Sequence, residues 1–329
     1  MSAGPAARSG PACRILLALL LWAMPLAAEP LALRATPAPL GYDNPPACLG
    51  PLCALGVLQL SAPDDLFGGW SALHLDSTLR LTAVSDLGRW MRARLVLDGA
   101  GNLQGLADAQ WGRLSDGAGR PLPRGRLADS ESLARLPDGT WLVGFERWHR
   151  IRAYRDLSGP GRFVAPPPGL ERLPANGGLE TLTVLPDGRV LAIAEEPDLP
   201  VAGGRARRAW IRDGSRWIEG SYAVPEPFVP VDAAALPDGG VLVLERRFSL
   251  FSGFGTRIAR IDPIGSLAPG FRLAPTEVAR IESPLITENY EGIAATRDAA
   301  GRLLVAIISD DNLMALQRTR LLLFRLDAP

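Results

Sequence analysis

Leu133-Ala134-Arg135-Leu136-Pro137-Asp138-Gly139-Thr140-Trp141-Leu142-Val143-Gly144-Phe145-Glu146 is the stretch from which the fold is read. An apolar run reaches a Pro-Asp-Gly turn and a second apolar run returns. Proline holds φ near the value required at the second turn position, and glycine accepts the positive φ that follows. The product is an antiparallel hairpin. Its returning strand is apolar at nearly every position rather than at alternate ones, as in a strand covered on both faces.

The cassette recurs along the chain. Asp129–Gly139 leading into Trp141–Glu146 is matched by Gly178–Gly188 with Val190–Glu195, and by Val231–Gly239 with Val241–Glu245. A degenerate copy spans Tyr290–Asp298 and Leu303–Asp310, and a weaker one Gly69–Asp76 and Leu81–Asp86. The turn aspartates Asp138, Asp187, Asp238 and Asp298 lie about 50 to 60 residues apart, the size of one four-stranded propeller blade. Radially packed sheets also explain strands covered on both faces. The expectation is an all-β protein, a β-propeller of six blades of about four strands over residues 61–329, with Arg320–Leu326 closing the ring; the alternative is a β-sandwich. The 35 Gly and 30 Pro, without long helical periodicity, argue against a helical domain.

Composition narrows the chemistry. The formal net charge is +0, and no basic run is interleaved with aromatics, so a nucleic-acid partner is not expected. All 35 basic residues are arginine, which removes a Walker lysine, a Schiff-base lysine and a Ser-Lys dyad. Only His74 and His149 are present, too few for a His-rich zinc site.

The N-terminus has the make-up of a secretory signal over residues 1–28. Arg8 and Arg14 precede the apolar run Ile15–Trp22, and small residues follow at Ala27 and Ala28. The run is too short to span a bilayer, so a periplasmic or secreted monomer without a transmembrane segment is expected. Residues 29–60 read as an N-terminal arm carrying a small loop. Cys13 would leave with the leader, and Cys48 and Cys53 would pair as a disulfide in an oxidising compartment.

Three strings carry a resemblance. Phe145-Glu146-Arg147-Trp148-His149-Arg150-Ile151, Leu173-Pro174-Ala175-Asn176-Gly177-Gly178-Leu179-Glu180 and Leu242-Val243-Leu244-Glu245-Arg246-Arg247-Phe248 resemble motifs of the phytase-like, "esterase-like activity of phytase", family. The resemblance covers roughly residues 54 to 327. It implies a propeller related in shape to the calcium-dependent alkaline phytases. The chain departs from a true phytase in having no lysine and no carboxylate-rich calcium string.

Acidic residues recur at fixed places in the cassette. Glu131, Glu180 and Glu291 open the first strand, with Asp232 one position out of register, and Asp86, Glu146, Glu195, Glu245 and Asp310 close the second. A strand's start lies beside its antiparallel partner's end, so radial symmetry would gather these acids around one axis. Glu131, Glu146, Glu180, Glu195, Glu245 and Glu291 are therefore candidate ligands for Ca²⁺ or another divalent cation; no organic cofactor is indicated. Glu131, Glu180 and His149 are the candidate catalytic residues. Arg147, Arg246 and Asn176 are the candidate binders of a small anionic ester. The competing reading is that the acids pair structurally with Arg147, Arg246 and Arg247. Gly69-Trp70-Ser71-Ala72-Leu73 lacks the second glycine of a nucleophile elbow. The expected function is metal-assisted hydrolysis of a phosphate or carboxylate ester, the alternatives being a non-catalytic binding propeller and a lactonase-like propeller.

Overall fold

The protein is a closed ring of sheets in the computed structural model, which describes residues 28–42, 45–201 and 204–327 together with Met1 and Gly4. The leader assigned to residues 1–28 falls almost wholly outside the described residues. No helix among the described residues is long and apolar enough to cross a membrane.

Five sheets, not six, form the ring. From axis to rim, the first blade runs Trp70–Leu75, Arg80–Ser85, Arg89–Leu97 and Leu103–Arg113. The second is Ser130–Arg135, Trp141–Phe145, Arg150–Tyr154 and Arg162–Val164. Thr181–Val184, Val190–Val201, Gly204–Asp213 and Arg216–Tyr222 make the third, to whose rim Phe271–Leu273 adds in parallel. The fourth is Val229–Ala235, Val241–Ser249, Gly253–Ile261 and Thr276–Ile281. The fifth takes Asn289–Arg297, Leu303–Asp310 and Arg320–Leu326 from the C-terminal end and Leu52–Ser61 and Arg34–Pro37 from the N-terminal end.

The blade count is lower than expected for two reasons. Several strands are long, up to 12 residues in Val190–Val201, so each blade consumes more chain. Residues 29–61 also build no blade of their own. Leu52–Ser61 pairs antiparallel with Arg320–Leu326, and Glu29–Pro30 edges the first blade. The boundary drawn at residue 60 thus cuts through an integral strand, and the arm is the clasp of the ring. Arg320–Leu326 closes the ring as expected. The Cys48–Cys53 disulfide is present, on a tight loop leading into that clasp.

Five buried apolar clusters match the five blade-to-blade contacts. One lies between the first and second blades (Val84, Trp90, Trp141, Phe145) and another between the fifth and first (Leu58, Trp70, Leu81, Ile308). Each sheet thus buries both faces, as the unbroken apolar strands require.

The turn between the first two strands has the same hydrogen bonds in each blade, with Leu79 in place of glycine at the left-handed position in the first. Gly139 N–H donates to Leu136 O at 2.9 Å, Leu136 N–H donates to Thr140 O at 2.8 Å, and Gly139 has φ 86°. This is a three-residue turn with glycine in the left-handed position. The fifth-blade turn has the same bonds from Asp298 to Gly301, so Asp298 opens its turn and corresponds to Leu136 rather than Asp138.

Candidate functional site: an acidic mouth on the ring axis

The inner strands begin with an irregularity that aims side chains at the axis. In the second blade Phe145 pairs with Ser130 and Gly144 with Ser132, so Glu131 is squeezed out as a β-bulge. The same skip leaves out Ser71 in the first blade, Val231 in the fourth and Glu291 in the fifth. Glu180 holds the corresponding place in the third, beside the bond from Glu195 N–H to Gly178 O. Bulges re-aim a side chain without ending the ladder. The register further aligns Asp86, Glu146, Glu195, Arg246 and Asp310 at the ends of the five second strands.

These positions converge on one cavity of about 200 Å³, lined by Ser71, Asp86, Asp129, Glu131, Glu146, Arg147, Asn176, Glu180, Glu195, Arg246, Glu291, Asp310 and Asn312. Oxygens of Asp129, Glu131 and Glu146 lie within 4.8 Å of one another, as do those of Glu146, Glu180 and Glu195. Glu146 belongs to both triplets.

Crowding and burial set the electrostatics. Burial, aided by Asp129 and Glu291, pushes Asp86 up to about 7. Burial also lifts Glu146 to about 7, against the Gly178 N–H that its carboxylate accepts at 3.2 Å. Glu131 and Glu180 are raised well above the usual carboxylate range, first by burial and then by the surrounding acids. Without a cation the cluster therefore retains protons near neutrality.

The arginines play unequal parts. Arg246 donates to Glu291 at 2.5 Å, to Asn289 Oδ1 at 2.7 Å and to Glu195 at 3.0 Å. It fills the fourth-blade gap in the acidic ring, with both terminal nitrogens bonded to its neighbours. Arg147 stands at φ 52°, its Nε 2.6 Å from Asp129 and its side chain 50% exposed, so its remaining nitrogens face the opening. Arg247 reaches Glu282 rather than the axis.

Three sequence-predicted residues lie elsewhere. Glu245 sits one residue before Arg246, and a one-residue step in a strand turns a side chain to the other face. It is fully buried between blades, accepting from Arg257 at 2.5 Å and from the Tyr222 hydroxyl. Asp232, one residue past the Val231 bulge, does not line the cavity either; it accepts the Ile293 and Leu73 N–H groups of the inner strands of two other blades. His149 Nε2 lies 3.0 Å from Pro174 O, and the residue is not among those lining the cavity. Its ring holds the 174–178 loop, which carries Asn176 to the rim. Asp129 and Asn312 line the mouth without having been singled out. The acid two residues before Glu131 was the available signal for Asp129; Asn312 comes from a loop outside the repeat.

Any cation must suit oxygen donors alone. The triplets provide them, and Asp86 Oδ1 is buried with no hydrogen-bond partner. A hard divalent cation such as Ca²⁺ fits this donor chemistry.

The family model described as phytase-like, esterase-like activity of phytase, matches residues 65–313. No curated protein matches the chain. Among solved structures, a gluconolactonase from Xanthomonas campestris is 12% identical, with 91% of this chain and 100% of that one covered and a TM-score of 0.42. Virginiamycin B lyase from Staphylococcus aureus is 10% identical, covering 81% and 70%, with a TM-score of 0.40. The propeller assignment itself rests on this chain's own strand order.

Proposed function

The chain belongs to the phytase-like (esterase-like activity of phytase) family, and from that premise we propose that its acidic mouth is a cation-assisted hydrolase site for a phosphate or carboxylate ester. The observation that carries the reading is the convergence of two carboxylate triplets sharing Glu146, beside the unpartnered Asp86 Oδ1. Pairwise acid–arginine bridges would suffice for a scaffold and would not require two triplets to share one carboxylate.

Glu131, Glu146, Glu180, Glu195 and Asp129 would hold the cation. A bound divalent cation supplies positive charge that polarises the ester and eases deprotonation of water. Arg147, anchored through Nε on Asp129, presents its free nitrogens to an anionic oxygen of the ester. Asp86, near neutrality and outside both triplets, takes the proton of the attacking water as its oxygen bonds to phosphorus or carbonyl carbon. The ester bond breaks and the alcohol leaves with that proton. His149, held at Pro174, takes no part.

A thermal melt with Ca²⁺ or with chelator, followed by a panel of phosphoesters, carboxylate esters and lactones, tests the reading. We expect a Ca²⁺-dependent rise of several degrees, as follows from about 2.7 kcal/mol of stabilisation at a hundredfold excess over Kd, and Ca²⁺-dependent turnover of an ester. Glu180→Gln should remove the rise and lower turnover by at least about 100-fold. No shift and no turnover would leave a binding propeller.

A further inference from the structure

The acidic ring is interrupted in one sector, and the wall there is apolar. At the bulge position the other blades offer Ser71, Glu131, Glu180 and Glu291, whereas the fourth offers Val231, with Val229 two residues before it. From this gap a groove of about 530 Å³ leads outward along Pro227, Val229, Phe248, Phe254 and Met314. It is continuous with the mouth, because Arg246 and Asn312 line both.

The groove has a formed floor. Phe248 and Phe254 are directly paired across the hairpin, with ring centroids 4.9 Å apart. Arg246 and Phe248 are two residues apart on one strand and so share a face, which puts an aromatic ring next in line after the guanidinium that borders the acids. The loops on either side leave large apolar side chains in water. Phe248 is 58% exposed and Met314 56%, with Leu250, Phe251 and Leu316 at 90% or more. A cluster of this kind marks a binding surface rather than scattered surface residues.

We infer that the substrate is amphiphilic: an ester whose polar, reacting end enters the acidic mouth while an alkyl or aryl group lies in the groove over Phe248 and Met314. The inference rests on the hydrolase reading for the role of the polar end and adds the substrate class. It sets this chain apart from a site for a uniformly polar polyphosphate, which would leave the groove unused.

The test separates the two ideas by measuring binding apart from turnover. The Ca²⁺-loaded protein is titrated calorimetrically with ethyl-, butyl-, hexyl- and octylphosphonate, which have no ester bond to cleave. Affinity should climb by up to about fourfold per methylene before levelling off. Phe248→Ala and Met314→Ala, both at exposed positions, should flatten that slope and leave ethylphosphonate affinity unchanged. Equal affinities along the series, or an undiminished slope in both variants, overturns the groove. Sedimentation with phosphatidylcholine vesicles that octylphosphonate does not compete, or a doubling of mass with concentration that it does not reverse, overturns it in favour of a lipid surface or a second copy. A retained slope with no ester turned over sinks hydrolysis alone.

Discussion

The two ends of the same five inner strands are built differently. At one end, bulges and second-strand ends gather Asp86, Asp129, Glu131, Glu146, Glu180, Glu195, Glu291 and Asp310 around the axis. At the other, a cavity of about 120 Å³ is walled mostly by small and apolar residues such as Leu133, Ala134, Ala233, Ala234, Ile293 and Ala294, with His74 and Arg135 at its edge. The apolar end follows from regular pairing, in which a strand nearest the axis must be small to let five meet. The acidic end needs the ladder to be broken once per blade. The groups that distinguish the mouth sit where the repeat departs from regularity, and the fourth blade departs most, with Val231 and Arg246 in place of the acids.

Asp232 sits just past the fourth-blade bulge, so removing it is the hardest test of whether the two ends are independent. Inner strands have no neighbour on the axial side, and their inward N–H groups lack ladder partners. Asp232 accepts two of them, from Ile293 at 2.8 Å and Leu73 at 3.4 Å, and so ties the fourth blade to the fifth and first. Asp232→Ala leaves those donors buried and unpaired, for a loss of roughly 2–4 kcal/mol, whereas Asp232→Asn retains an acceptor oxygen and should lose less. Denaturant unfolding measures both. The Ca²⁺-induced rise in Tm should survive in Asp232→Asn; its disappearance would mean that the Asp232 contacts and the mouth are one unit.

Proton uptake gives the next largest effect. Asp86 and Glu146, both raised to about 7, hold protons in the folded protein that the unfolded chain releases near pH 4. Between these limits the folded state binds more protons, so stability falls as pH rises. The metal-free protein should lose on the order of 2–3 kcal/mol from pH 5 to pH 7.5 through these two groups, after allowing for solvent screening of their exposed edges. Ca²⁺ replaces the protons, so its stabilisation should be larger at pH 7.5 than at pH 5. Melts at both pH values with chelator and with Ca²⁺ check this, and a chelated protein more stable at pH 7.5 would contradict the crowding of the mouth.

What could be read from the sequence follows the same division. The Pro-Asp-Gly hairpins, their both-faces-apolar strands and the disulfide were legible because each is local. The blade count was not, since it depends on Leu52–Ser61 joining the fifth blade beside Arg320–Leu326. Most mouth acids were legible as recurring positions. Glu245 was misplaced because it lies seven residues after its turn aspartate, where Glu146 and Glu195 lie eight after theirs, so it falls one place short of the mouth position that Arg246 holds. The apolar groove was invisible for a different reason. Phe248 and Phe254 sit on paired strands of the fourth blade and Met314 in a loop of the fifth, and only the ring brings them together.

The smallest expected effect belongs to the opposite end, and it has the opposite sign. His74 stands edge-on to Trp141 with ring centroids 5.0 Å apart. Burial, followed by the charge of Arg135, lowers it to about 4 from an ordinary 6.5. As pH falls from 6.5 toward 4 the unfolded chain takes up a proton on this residue and the folded protein does not, so the folded state is disfavoured. The loss over that window should be on the order of 1–2 kcal/mol, less than the full shift because the imidazole is only partly covered. The mouth contributes its acid-side gain equally to wild type and to His74→Gln, so the difference between their stability–pH curves isolates the imidazole. That difference should open below pH 6.5, with the wild type losing more. Parallel curves would show that His74 titrates freely and that the apolar end is open to water.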